Sequence, residues 1–126
     1  MIIRVLLIAL GGAIGSVCRY GLGGLAYRLF GSVFPWGTAA VNIVGSLAIG
    51  FLWAAFERAA VGPNMRTFVF IGILGGFTTF SSYTLETFNL FRESETRLAV
   101  TNMVVSNIVG VAAVFIGFAI FRYIVK

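Results

Sequence analysis

The most chemically loaded stretch of the chain is Gly75-Gly76-Phe77-Thr78-Thr79-Phe80-Ser81-Ser82-Tyr83-Thr84-Leu85-Glu86-Thr87. Gly costs about 1 kcal/mol relative to Ala in a helix interior, so two adjacent glycines followed by a hydroxyl-rich run predict a break in the helix that carries them. A break frees backbone carbonyls, which are natural cation ligands. The alternative is a continuous helix whose Ser and Thr side chains bond back to the preceding turn. Phe80 and Tyr83 are three apart and share a helical face. An aromatic ring has a negative face and a positive edge, so two ring edges can line the path of an anion. Glu86, the only carboxylate inside an apolar stretch, suits either a proton carrier or an acceptor that orients hydroxyls.

Two further polar faces accompany this run. Thr38 and Asn42 are four apart, as are Asn102 and Ser106, with Thr101 and Asn107 alongside; residues four apart lie on one helical face. Their amides and hydroxyls can bond between helices or donate to an anion passing along a pore. Arg19 stands within the first apolar stretch. It can snorkel to a helix end or draw anions toward a vestibule.

The elements that must position these groups follow from composition. Of 126 residues, 60% are hydrophobic and 10% charged, and the mean hydropathy is +1.02. Soluble domains carry about 25% charged residues. Stretches with at most one charge run over residues 5–26, 37–56, 67–91 and 98–121. Each has the roughly 20 residues that a transmembrane helix needs, which predicts an all-α integral membrane protein forming a single four-span domain over residues 1–126. Connections of at most 10 residues leave no room for a soluble catalytic domain. The chain has no His, one Cys and four carboxylates, which excludes the usual His/Cys metal clusters and any Ser–His or Cys–His nucleophile. An enzyme is not expected. Cys18 reads as a small packing residue.

The net charge of +5 comes from basic residues placed singly near span ends, so nucleic-acid binding is not expected. Arg4, Arg58, Arg66, Arg122 and Lys126 fall on the side of the termini, and Arg28, Arg92 and Arg97 on the other. That weak bias fits either a slight preference for termini inside, or insertion in both orientations that lets two copies pair antiparallel. Four short helices bury only a thin seam, so oligomerisation is expected. The pairs Gly11/Gly15, Gly12/Ser16 and Ser46/Gly50 have the spacing that permits close helix packing.

The chain resembles the Fluc/CrcB family of microbial fluoride channels over nearly its whole length. The resemblance rests on Gly11-Gly12-Ala13-Ile14-Gly15-Ser16-Val17-Cys18-Arg19-Tyr20, on Gly37-Thr38-Ala39-Ala40-Val41-Asn42 and, above all, on residues 75–86. It implies a dual-topology antiparallel homodimer with two fluoride pathways, each lined by both subunits, in a bacterial or archaeal plasma or inner membrane. It also implies a third helix broken at residues 75–78, with the backbone carbonyls of Gly75 and Thr78 from both copies holding a structural central Na+. The pore pair of aromatic rings falls on Phe80 and Tyr83, where Tyr83 departs from the family's usual phenylalanine. Asn42 matches the pore asparagine, Ser106 falls near the polar track of the fourth helix, and Glu86 and Thr38 match other polar residues of the pathway.

Two other classes compete. A small proton-coupled drug exporter resembles this chain in size, but its key glutamate lies in the first span, where this chain has Arg19. A purely structural membrane subunit would leave the polar faces without a transport role.

Overall fold

The computed structural model describes residues Met1–Lys126 and is entirely helical. Helix α1 spans Ile2–Phe30 and α2 spans Trp36–Arg58. The third crossing, Pro63–Arg92, is divided: α3 covers residues 63–77, and α4 is Phe80–Arg92. Helix α5 is Thr96–Ile124. The four crossings coincide with the four apolar stretches, and each helix runs a few residues beyond its stretch. Charged and aromatic residues such as Arg28, Trp36 and Arg58 mark the edge of the hydrocarbon. They are no obstacle to helical backbone, so the helices continue into the head-group layer.

Helix α1 lies across α3 and α2, α2 lies along the C-terminal half of α5, and α4 pairs with the start of α5. Glycine sets the two closest crossings. A Cβ at Gly15 would collide with the carbonyl of Ile73, and one at Gly76 would stand 2.7 Å from the Gly12 carbonyl oxygen. On the other side, a Cβ at Gly117 would collide with the Leu47 carbonyl, and one at Gly50 with that of Val114. The Gly11/Gly15 spacing is thus answered by Gly72/Gly76 on α3.

Two stretches have widened π-type turns, Thr67–Leu74 in α3 and Val105–Val109 in α5. Such turns occur mostly as local bulges, frequently at functional sites. At the end of α2, Ala60 takes a left-handed conformation (φ 49°). Arg66 closes that end, donating from Nη2 to the Phe56 carbonyl at 2.9 Å and from Nε to the Val61 carbonyl at 3.1 Å.

The break in the third crossing is real, but the glycines do not make it. Gly75 and Gly76 are helical, and the chain leaves the helix at Thr78 (φ −82°, ψ 157°) and Thr79 (φ −147°, ψ 120°). The resemblance places the break over residues 75–78; it falls at Thr78–Thr79, and Gly76 stays helical in close contact with Gly12 of α1. Thr79 then caps α4, its Oγ1 accepting from the Ser82 N–H at 3.2 Å. The back-bonding alternative also holds in part, since Thr78 Oγ1 donates to the Leu74 carbonyl at 3.0 Å and Thr87 Oγ1 to that of Tyr83 at 2.8 Å.

Only 23 of 126 residues are buried, so one chain has a thin core and a surface fit for lipid or a second copy. Cys18, read from sequence as a packing residue, is exposed on α1.

Candidate functional site

Breaking a helix at membrane depth leaves two sets of polar ends. The final carbonyls of α3, from Gly75 to Thr78, lose the continuous helical ladder that would supply their donors, since the Thr78 N–H bonds to the Leu74 carbonyl and the Thr79 N–H turns to Asn42. The first N–H groups of α4, at Phe80 and Ser81, likewise lack helical acceptors. Both sets are tolerable only where protein or a cavity meets them.

Asn42 on α2 satisfies the hinge between them. Its Nδ2 donates to the Thr79 carbonyl at 2.9 Å, and its Oδ1 accepts from the Thr79 N–H at 2.7 Å. Read from sequence as a donor to a passing ion, Asn42 has its oxygen and one amide proton committed to the backbone, which leaves a single proton for a ligand.

Two cavities meet at Thr79. The first, about 350 Å³, is lined by polar and aromatic groups including Asn42, Thr78, Phe80, Tyr83, Ser106 and Asn107. The second, about 770 Å³, is walled by Arg19, Arg28, Tyr27, Thr38 and Ser82. Thr79 belongs to both walls. Thr38 and Asn42 do share the face that their spacing predicts, one turn apart, and look into different cavities. Arg19 lies in the wall of the wider cavity, where its positive charge favours an anion.

The Phe80 and Tyr83 ring centroids are 5.6 Å apart with their planes at 51°. Tyr83 is buried, whereas Phe80 is 75% exposed in the single chain. Behind Tyr83 a polar chain crosses from α5 to α4: Ser106 Oγ donates to Asn102 Oδ1 at 3.2 Å, and Asn102 Nδ2 donates to Thr87 Oγ1 at 2.9 Å. Thr101 bonds back to the Arg97 carbonyl, exposed and away from this cluster.

Glu86 Oε1 accepts from Thr38 Oγ1 at 2.7 Å and from the Tyr27 hydroxyl at 3.3 Å, while its Oε2 is buried without a hydrogen-bond partner. The geometry is that of an acceptor orienting hydroxyls. Tyr27 is a site residue outside the set that the sequence marks, because it lies just past the end of the first apolar stretch. The available signal was the four-residue spacing of Arg19, Gly23 and Tyr27, which continues one helical face past the charge at Arg19.

No cluster of His, Cys, Asp or Glu could hold a metal ion. Gly75 and Thr78, whose carbonyls stand at the broken end of α3, line the smaller cavity.

Comparison with known proteins bears on what this site serves. The family model described as CrcB-like protein, Camphor Resistance (CrcB) matches residues 6–118. The fluoride-specific ion channel FluC of Parabacteroides distasonis is 43% identical over 123 residues, covering 98% of this chain and 96% of that protein. The protein of the same name from Opitutus terrae is 50% identical over 115 residues, covering 89% and 87%. That of Agrobacterium fabrum is 48% identical over 121 residues, covering 95% and 97%. With a family match over most of the chain and relatives of this similarity over 87–97% of their own length, the chain belongs to the CrcB-like family.

Proposed function

We propose that this chain is a fluoride-selective channel that exports the anion passively across the membrane and so lowers cytoplasmic fluoride toxicity. The observation that carries this reading is the meeting of two cavities at Thr79, one flanked by Arg19 and Arg28, the other by ring edges, hydroxyls and amides. Fluoride is small and strongly hydrated, so a selective path must replace its water with donors. Arg19 concentrates the anion at the wider cavity, and the remaining amide proton of Asn42 and the ring edges of Phe80 and Tyr83 take the place of water, while Ser106 lines the same cavity as those rings with its proton given to Asn102. Hydrogen fluoride entering from outside dissociates at the higher internal pH. A potential negative inside then drives the anion outward with about 2.3 kcal/mol per 100 mV. No covalent step is required, and the protein is not an enzyme.

The working unit is an antiparallel dual-topology homodimer in the plasma or inner membrane of a prokaryote. Its support is the exposure of Phe80 and the openness of the smaller cavity, which one chain leaves incomplete. Gly75 and Thr78 carbonyls from the two copies would together hold Na+, which supplies positive charge at the dimer centre and joins the subunits. One chain offers half of that oxygen set, and the fit rests on Gly75 and Thr78 standing together at the broken end of α3 and lining the smaller cavity.

The test is efflux from liposomes containing the purified protein, with valinomycin setting the potential and no pH gradient. Rapid fluoride release with negligible chloride release is expected. A folded protein that releases neither ion overturns the reading and favours proton-coupled transport through Glu86.

A further inference from the structure

Tyr83 brings a hydroxyl to a position where the family pattern has none, and its surroundings define what that hydroxyl can do. Asn107 Nδ2 donates to the Tyr83 oxygen at 3.0 Å and to the Met103 carbonyl at 2.7 Å. A carbonyl can only accept, so the Met103 contact fixes which end of the Asn107 amide faces inward, and both protons of that nitrogen are used. The Tyr83 oxygen is therefore an acceptor in this pair. Its own proton has no acceptor within the chain, and both residues line the smaller cavity beside Asn42 and Ser106.

Ser106 and Asn107 both border the smaller cavity, and both lie in the widened turn Val105–Val109. Asn107 is a second polar side chain of α5 on that wall, where it sets the direction of the phenol.

We infer that the Tyr83 hydroxyl is a further fluoride donor in the smaller cavity and that Asn107 is its positioning residue, holding the phenol oxygen as an acceptor so that the proton is aimed at the anion. This inference rests on the channel reading above. Donation from Asn107 also polarises the O–H bond of Tyr83 and makes it a better donor, because hydrogen bonds in a chain reinforce one another.

The experiment measures initial fluoride efflux from liposomes against internal fluoride concentration for the wild type, Tyr83→Phe, Asn107→Leu and the double variant. Tyr83→Phe keeps the ring and its packing. Losing one donor to a charged ligand is expected to raise the half-saturating fluoride concentration about tenfold with the maximal rate little changed. Asn107→Leu should show a similar rise and the double variant no further one, since the two residues act as a unit. Half-saturation unchanged in Tyr83→Phe overturns the inference while leaving the channel standing. So does recovery of wild-type behaviour when Tyr83→Phe is added to Asn107→Leu, because that pattern belongs to an anchor that only packs the ring. A wild-type protein that passes no fluoride overturns the channel reading and this inference together.

Discussion

The carboxamide of Asn42 clasps the backbone of Thr79 on both sides, donating to its carbonyl at 2.9 Å and accepting from its N–H at 2.7 Å. The side chain thus imitates the strand-like partner that an extended residue would have in a sheet, and it does so 37 residues away in sequence. Asn42→Leu leaves two backbone groups unpaired at membrane depth, each costing about 1–3 kcal/mol. The expected result is a lowered unfolding temperature in detergent together with loss of fluoride efflux. Asn42→Asp, which keeps an acceptor for the Thr79 N–H but faces its carbonyl with oxygen, should fall between the two.

Glycine packing gives a matched pair of substitutions on α5. Gly110 and Gly117 are both buried, yet a Cβ at Gly110 meets only Ser46 Oγ at 3.8 Å, whereas one at Gly117 runs into the backbone of Leu47 and Phe51. Gly117→Ala should therefore destabilise the protein by about 1–3 kcal/mol, the usual cost of overpacking. Gly110→Ala should be close to neutral or stabilising, and thermal unfolding of the two purified variants checks the contrast.

These two cases mark what the amino-acid sequence can convey. The four crossings are legible because hydrocarbon thickness dictates the length of an apolar run, and the break is legible because the hydroxyl-rich run that follows Gly75-Gly76 is poor helix material. Its exact place is not, since the role of Gly76 depends on its contact with Gly12 in another helix. The chemical types of the site residues, among them Asn42, Phe80, Tyr83 and Glu86, are equally visible. Their partnerships are not: Tyr27 and Glu86 are 59 positions apart, and no local spacing rule connects them. Asn107 illustrates the same point, because its bond to Tyr83, 24 positions away, follows no local spacing rule.

Na+ removal tests the carbonyl site. If the Gly75 and Thr78 carbonyls of two copies share one Na+, exchanging Na+ for N-methylglucamine should lower the midpoint of dimer dissociation in detergent, and re-addition of Na+ should restore it. Stability should follow Na+ concentration as mass action requires of a ligand bound to the assembled state alone. An unchanged midpoint would remove the ion from the assembly.

Glu86 separates the channel from a proton-coupled exporter. Glu86→Gln retains an Oε1 that accepts from Thr38 and Tyr27 as the carboxylate oxygen does, but it cannot carry a proton through a transport cycle. Passive fluoride efflux without a pH gradient should persist within about tenfold of wild type, a difference of about 1.4 kcal/mol in barrier. Glu86→Leu, which leaves both hydroxyls without their acceptor, should cost more. Abolition of flux by the Gln substitution in a folded protein would point to obligatory protonation.

Phe80 distinguishes a pathway from a structural membrane subunit. Its ring is 75% exposed in the single chain, so replacing it removes little packing within the subunit, and its one aromatic neighbour there is Tyr83 at 5.6 Å between centroids. Phe80→Ile keeps an apolar side chain of helix-compatible shape and takes away the positive ring edge that an anion would meet. Unfolding temperature and elution volume should be close to wild type, while fluoride efflux should drop by at least about tenfold, the effect of losing roughly 1.4 kcal/mol of stabilisation at the barrier. A subunit with only a structural role would show the opposite pattern, with flux unaffected and any change confined to stability. The comparison variant is Leu90→Ala, a buried α4 residue outside both cavities. It should lose about 2–5 kcal/mol of stability through cavity formation and leave the preference for fluoride over chloride intact.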